Sequence, residues 1–465
     1  MKEPEVARDL SIALAELRNG ADVSYGSGTM RFLGIGDSCD LGALYLRLLE
    51  AGHEVKTFVA DPMCHGTLAG MVERTSDWQA ELGWIGEAGP DGIILFENVA
   101  ERRGALQDHL RRQGFHVVGG SAFGDRLEND RKYAQETLSG IGLSTARTWE
   151  FNDVRQAQRF IAAHPARYVL KFNGPGFSAA DNYIGQLQDG RDVAAVLGAK
   201  LRGRDASATG FVLMERVFGV EMGIGAYFNG RRFLMPACLD WEHKRFFAGD
   251  LGELTGEMGT VVTYDRTRRF FDMTLGHLEA VLRQHGHCGY VNLNTIVNED
   301  GIWPLEFTCR FGYPGFAILD SLQETSWAAL FRAMVHGTDL PVATRPGFSV
   351  GVVLTTPPFP YTRKQVKEVV GLPVFLDADM SPDDRRHLHF GEVGLQDGQL
   401  TTSGIYGWMM VVTGLGPTPE TAKQNAYRLA GKVHAPNMRY RLDIGDNLVG
   451  GELARVERMG LLDLG

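Results

Sequence analysis

The apolar run "RYVLKF" delivers Lys171 into "NGPGFSAADN", where Gly174 and Gly176 precede Ser178 and Asp181. Glycines let backbone amides approach phosphate oxygens, and a lysine at a strand end adds a point charge for them. In "FVLMERVFGVEMGIGAYF", Glu215 and Glu221 lie six apart with Val217 between them. On an extended segment one carboxylate can accept from an exocyclic amine and the other can bind a ribose diol. "LDWEHKRFF" sets His243, Lys244 and Arg245 in a row, a run that calls for an anion or a solvated face. In "WPLEFTCRFGYPG", Glu306 ends an apolar run four residues before Arg310. A carboxylate there suits Mg²⁺, with Asn292 or Asn294 of the preceding arm beside it, and Arg310 could hold an anion or the charge of a transferring phosphoryl group. Each stretch alone also has a structural alternative: a flexible loop, two exposed strand acids, a surface run, a Glu–Arg pair.

These residues need strands to position them. From residue 31, "RFLGIGD", "KTFVAD", "DGIILFE" and "HVVGG" alternate with amphipathic helical stretches, the pattern of a parallel α/β sheet. Its first turn, "GIGDSCDLG", lacks the third glycine of a dinucleotide fingerprint and carries Asp37 and Asp40, which would repel a pyrophosphate. Past a boundary near residue 125, closely spaced strands predict antiparallel sheet, with "NEDG" turning a hairpin between residues 289 and 312. After "GTDLPVATRPG" come strands at "FSVGVVLTT", "GLPVF", "HFGEVGL" and "YGWMMVVTGLG", then a Thr-capped helix at "TPETAKQNAYRLAGKV". The expected divisions are an extension at 1–30, an α/β domain at 31–124, a two-lobed domain at 125–340, a small α+β domain at 345–447 and a tail at 448–465. The extension ends in a joint, "ADVSYGSGTM", after which Met30 is a candidate start.

A chain of 465 residues at net charge −10 is large enough for about three domains. That charge argues against sequence-independent nucleic-acid or anionic-membrane binding. Cys39, Cys64, Cys238, Cys288 and Cys309 show no paired spacing, so reduced thiols and a cytoplasmic setting are expected. The first twenty residues lack a signal-peptide core, and no apolar run is long enough for a transmembrane helix. "HGHC" (His285, His287, Cys288) and "HLHF" (His387, His389) give no complete zinc set.

The order Lys171, Glu215/Glu221, "EHKR", "TGEMG", "LEFTCRFG" resembles the ATP-grasp superfamily, and more narrowly the phosphoribosylamine–glycine ligases (glycinamide ribonucleotide synthetases). Their segments read approximately "DHKR", "TGGMG" and "LEFNCRFGDPE", and their closing domain carries "DGQL" and "YRxDIG", matched here at 397–400 and in "MRYRLDIG". The resemblance spans roughly residues 31–447. It implies an ATP-grasp fold of α/β and α+β domains, and a reaction in which ATP phosphorylates a carboxylate that an amine then attacks. Glu215 and the Val217 backbone would hold adenine, Glu221 the ribose, and Arg131, Lys171, Gly174 and Gly176 the phosphates. Glu306 and Asn294 would bind Mg²⁺ or Mn²⁺, with Arg310, Lys244 and Arg245 as catalytic cations.

This chain departs from the family at the segments expected to face substrate. "GGREHA" is replaced by "GDSCDLG", "GDPE" by "GYPG", an "SGGYPG"-like turn by "TTPPFPY", and the asparagine of "LEFN" by Thr308. The "GLAAGKGV" lysine has no counterpart in "GPGFSAADN". Asp37, Ser38, His243 and Gly312 are therefore the candidate substrate contacts. The expected partners are ATP, an amino acid such as glycine and an amine acceptor, without membrane or nucleic acid; homo-oligomerisation stays open. The alternatives are a paralogous ligase for another amine, a silent ATP-binding protein, and a nicotinamide oxidoreductase using "GIGDSCDLG".

Overall fold

The computed structural model describes residues 28–97, 103–172, 181–202 and 210–464. Strands β1 (Arg31–Gly36), β2 (Glu54–Val59), β3 (Glu73–Arg74), β4 (Gly92–Phe96) and β5 (His116–Val118) form a parallel sheet in the order β3-β2-β1-β4-β5. Every residue of β4, "GIILF", is buried, as expected of a parallel strand covered on both faces. Helix Gly42–Glu50 follows β1 and buries Leu44, Tyr45 and Leu48. The joint expected at 21–30 falls mostly outside the described residues; Met30, at its end, is buried and its amide donates to His53 Nδ1.

Strands β6 (Thr148–Phe151), β7 (Tyr168–Phe172), β8 (Tyr183–Ile184) and β9 (Phe211–Glu215) make a small antiparallel sheet, ordered β6-β9-β7-β8. Period-two alternation divides its residues. Tyr168, Leu170, Phe211 and Leu213 pack with Ala157, Ile161, Val193 and Leu197 from two helices on one face. Lys171, paired with Val212, which is paired in turn with Glu150, is thereby turned to the other face.

The third sheet has eight strands: β10 (Val220–Asn229), β11 (Phe233–Phe247), β12 (Leu251–Thr263), β13 (Cys288–Asn298), β14 (Gly301–Thr308) and β15 (Phe348–Thr355), then two strands from later in the chain. Those two come from a block containing β16 (Phe375–Leu376), β17 (Leu388–Phe390), β18 (Val393–Gln396), β19 (Gln399–Thr402), β20 (Trp408–Gly416) and β21 (Val433–His434). The order is β14-β13-β10-β11-β12-β15-β20-β17, so strands from both sides of residues 340–345 hydrogen-bond into one sheet. "HFGEVGL" divides between β17 and β18, and of "GLPVF" only Phe375 is strand, together with the following Leu376. The Thr418 hydroxyl caps helix Pro419–Ala430 by accepting from the Thr421 amide. Leu461 and Leu462, in the segment expected as a tail, are buried in the main core, and Asp463 accepts from the amides of Arg268 and Arg269.

One face of this sheet carries Met222, Ile224, Leu239, Trp241, Leu293 and Phe307 into a core shared with Phe123, Leu127, Ala134 and Leu138. The other carries Glu221, Asp240, Glu242, Asn292, Asn294, Glu306 and Thr308, as the registers of β10 with β11 and β13, and of β13 with β14, require. Among the described residues no helix is long and apolar enough to cross a membrane, and all five cysteines are buried and unpaired.

Candidate active site

Lys244 sits at the centre of the polar face. Its Nζ is 2.8 Å from Glu306 Oε1, 3.1 Å from Glu242 Oε2 and 3.5 Å from Glu221 Oε1. The β13–β14 hairpin pairs Asn294 with Glu306, and Asn294 Nδ2 donates to Glu221 Oε1 at 2.8 Å, leaving its amide oxygen available. Lys244, then Lys171 and Arg131, hold the Glu306 carboxyl far below the usual range, although its side chain is 44% exposed to the cleft.

Lys171 faces this cluster from the small sheet. Burial pushes its ammonium down to about 8, and Arg131 and Lys244 push the same way against Glu306 and Glu221. Arg131 begins helix Arg131–Gly140, whose N-cap Asp130 accepts from the Tyr133 amide. A cavity of about 500 Å³ separates the two sheets here, lined by Arg131, Glu150, Val212, Met214, Leu305 and Glu306. Glu215, exposed at the end of β9, and Val217, in the link to β10, stand where the two sheets join. Gly174 and Gly176 lie outside the described residues.

Arg310 lies just beyond β14. Its Nη2 is 3.0 Å from Glu128 Oε1, its Nη1 donates to the Phe311 carbonyl at 3.0 Å, and the other oxygen of Glu128 accepts from the Cys309 amide. A helix whose Glu128 lies 181 residues before Cys309 in the chain therefore clamps the strand exit.

The cationic run does not converge on one anion. His243 is buried on the opposite side of β11 from Lys244, where its Nε2 accepts from the Gly445 amide. Arg245 donates to the Gly252 carbonyl at 2.8 Å within the β11–β12 hairpin. Alternation along a strand sends neighbours to opposite faces, so His243 packs away from the acids and of the three only Lys244 joins them.

At the N-terminal turn Asp37 pairs with Arg103, and Ser38 is buried. Buried Glu97 accepts from the amides of Asp40 and Leu41 and from the Tyr45 hydroxyl at 3.1 Å. Burial, with Asp40 nearby, pushes its carboxyl up to about 8. The amides a phosphate would need are already taken by a side chain. Gly36 permits this: a Cβ there would stand 1.8 Å from Glu97 Oε2.

His287 Nδ1 is 2.9 Å from Ser121 Oγ, and His387 and His389 share the Thr413 hydroxyl. Among the described residues no group of three or more His, Cys, Asp or Glu is placed to hold a metal. Sequence reasoning missed Glu97, Glu128, Asp240, Glu242 and Glu257, of which Glu242, in "EHKR", and Glu257, in "TGEMG", lay within quoted motifs.

A family profile described as "Phosphoribosylglycinamide synthetase, ATP-grasp (A) domain" matches residues 129–316. The phosphoribosylamine–glycine ligase of Pseudomonas aeruginosa is 26% identical over 392 residues, covering 82% of this chain and 87% of the relative. The crystal structure of the Thermotoga maritima phosphoribosylamine–glycine ligase superposes with a TM-score of 0.67 at 24% identity, covering 89% of this chain and all of that one. A Hydrogenobacter thermophilus biotin carboxylase domain, in complex with MgADP, ADP and bicarbonate, shares the fold at 11% identity, with a TM-score of 0.58 and coverage of 93% and 96%.

Proposed function

We propose that the chain, similar over residues 129–316 to the phosphoribosylglycinamide synthetase ATP-grasp domain, is an ATP-grasp ligase that forms C–N bonds with release of ADP, joining an amino acid such as glycine to an amine through an acyl phosphate. The observation that carries this reading is the cluster of Lys171, Arg131 and Lys244 around Glu306 and Glu221, with Asn294 bonded to Glu221, beside a cavity that Arg131 and Glu306 line. A triphosphate needs several cations in a dry cleft, and phosphoryl transfer needs position and charge rather than an enzyme nucleophile.

In this reading Glu215 and the Val217 backbone take adenine, Glu221 the ribose, and Lys171 and Arg131 the phosphates. A substrate carboxylate oxygen attacks the γ-phosphorus and the bond to the β-phosphate oxygen breaks, releasing ADP. The amine then attacks the acyl carbon, and phosphate leaves with the electrons of the C–O bond. Arg310, clamped by Glu128, is positioned to meet charge that develops on the acyl phosphate.

The donors fit a hard cation: an open carboxylate at Glu306 opposite the amide oxygen of Asn294. Two protein oxygens suit Mg²⁺ or Mn²⁺, which keep phosphate and water ligands and would neutralise charge on the phosphoryl oxygens.

5-Phosphoribosylamine is the acceptor that the relatives suggest. A different amine is favoured by one observation, the occupation of the N-terminal turn's amides by Glu97 together with the acids Asp37 and Asp40. The deciding assay follows ADP and phosphate release from Mg-ATP and glycine with phosphoribosylamine and a panel of other amines. Amine-dependent release supports ligation and identifies the acceptor; ATP binding without turnover on any pair overturns it.

A further inference from the structure

The segments in which this chain departs from the sequences it resembles come together in the fold. Tyr313 of "GYPG" and Phe359 of "TTPPFPY" lie against one indole, their ring centroids 5.0 Å and 5.6 Å from that of Trp408, and Tyr406 lies 5.1 Å from it. The turn "GDSCDLG" is tied to the same junction: the Asp61 amide donates to the Asp37 carbonyl, and Lys364, just past "TTPPFPY", reaches Asp61 Oδ2 at 2.6 Å. Tyr313 follows Arg310 by three residues, so the junction borders the place proposed for the acyl phosphate.

Donors without acceptors collect here. Arg363 is 7% exposed, and its Nε, Nη1 and Nη2 all lack a hydrogen-bond partner among the described residues, although its backbone amide donates to the Ile405 carbonyl at 2.8 Å. The Tyr313 hydroxyl and Trp408 Nε1 are buried without partners as well. A desolvated guanidinium with no hydrogen bond is costly, and a buried cation is ordinarily offset by an anion held against its N–H fork. Glu392, whose charge acts on both Arg363 and Tyr313, does not fill that role. Its oxygens accept from the amides of Ile405, Tyr406, Gly407 and Trp408, and burial pushes its carboxyl up to about 7. Glu368, the other carboxylate that acts on Arg363, is exposed to solvent.

The same bonds decide which anion fits. A phosphate dianion calls for a second cation and free backbone amides. Glu392 already takes the amides of residues 405–408, Glu97 those of the turn after β1, and Asp61 the Lys364 ammonium. Arg439 donates to the Phe359 carbonyl and lies over the Phe246 ring. One guanidinium remains, which matches a single carboxylate in charge and in two-pronged shape. We propose that this junction receives the amine acceptor, that the acceptor carries a carboxylate in place of a phosphate, and that Arg363 is the specificity-determining residue that pairs with it. The rings of Tyr313, Tyr406 and Trp408 would flank its carbon skeleton. Arg363 is closed off from solvent, and the chain from it to β16 has neither helix nor strand and exposes Val366, Val369 and Val370, so this stretch is the part that moves to admit the acceptor.

The inference deepens the ligase reading and rests on it. Calorimetry on the full chain, with a non-hydrolysable ATP analogue, Mg²⁺ and saturating glycine, compares phenylalanine with 2-phenylethylamine, and β-alanine with ethylamine and 2-aminoethylphosphonate. In at least one set the carboxylated amine binds about tenfold or more tightly than its decarboxylated counterpart, and Arg363→Gln removes that preference while ATP-analogue affinity stays within about twofold. Arg363→Lys keeps part of the preference, since the charge persists without the fork. Arg363→Gln also melts no lower than the wild type, because it removes an unpaired buried charge; a lower melting temperature would make Arg363 a structural residue instead. Equal binding within both sets, tightest binding by the phosphonate, a preference that survives in Arg363→Gln, or no binding by any of these amines overturns the proposal. Failure of the wild-type chain to bind the ATP analogue would instead overturn the ligase reading.

Discussion

Glu306 and Lys171 lie close together but respond to protons in opposite ways. Glu306 stays ionised because Lys244 lies 2.8 Å away, and its side chain still opens to the cleft. Glu306→Gln should lower Mg-dependent ATP turnover about 100-fold or more, the scale on which removal of one charge-stabilising group acts. The melting temperature should change little, because Lys244 keeps Glu242 and Glu221 as partners; wild-type turnover in this variant would exclude Glu306 from the metal site. Lys171, pushed down to about 8, would bind a triphosphate best while it is still protonated. ATP-analogue affinity should therefore hold up to about pH 7.5 and weaken toward tenfold per unit above 8, the limit for loss of one proton. Lys171→Arg, whose charge persists, should flatten that profile; an unchanged profile would show that Lys171 does not touch the phosphates.

At the scale of elements, two clamps hold geometry around the candidate site that no single strand could hold. Glu128 grips both the Arg310 guanidinium and the Cys309 amide from a helix. Glu128→Gln should reduce kcat by about 10-fold or more with ATP affinity preserved, since a misplaced cation costs rate before it costs binding. Matched losses in both would place Glu128 in the nucleotide site instead. The turn after β1 depends on Gly36: Gly36→Ala drives a methyl into a Glu97 carboxylate held by three donors, and should cost about 3 kcal/mol by urea unfolding. Legibility in the sequence followed the same division. The Asn294–Glu306 pair could be read because a short turn forces its register, and Lys171 because it ends a strand at glycines. Strand alternation could also have separated His243 from Lys244, had the run not looked like a single patch. Glu128 and Asp240 could not be read, because their partners, 181 and 52 residues away, meet them only after the sheet has assembled. Nor does local periodicity reveal that β15 and β20 continue the sheet of β10 to β14, since it sets a strand's face and not its neighbour.

Across the whole molecule, the buried ionisable groups couple folding to pH. Arg47 of the first helix reaches Asp320 at 3.0 Å, Trp327 donates to the same carboxylate, and buried His389 lies beside it, so the N-terminal and C-terminal blocks meet in one charged network. Burial raises Glu97 and Asp240 to about 8 and Glu392 to about 7. The folded state then holds protons that the unfolded chain, with carboxyls near 4, has released. Stability from these groups is complete below about pH 4 and is lost as pH rises through 7 to 8. Burial lowers His287 and His389 to about 3 and moves His243 and His387 the same way. Their contribution is complete above about 6.5 and is lost as pH falls toward 3. Acidification from pH 8 to 6.5 therefore engages chiefly these carboxyls, opposed slightly by Lys171 taking up its proton, and should raise unfolding free energy by about 3–4 kcal/mol, at up to about 1.4 kcal/mol per group and pH unit. Below 6.5 the histidines oppose that gain and stability should level and then fall. Urea midpoints at pH 8, 6.5 and 5 check this: the highest belongs at 6.5, and His389→Gln should lessen the loss between 6.5 and 5 by about one proton's slope. A midpoint that climbs steadily to pH 8 would mean that the buried carboxyls are charged in the folded chain, and that the polar face of the large sheet is more solvated than its packing implies.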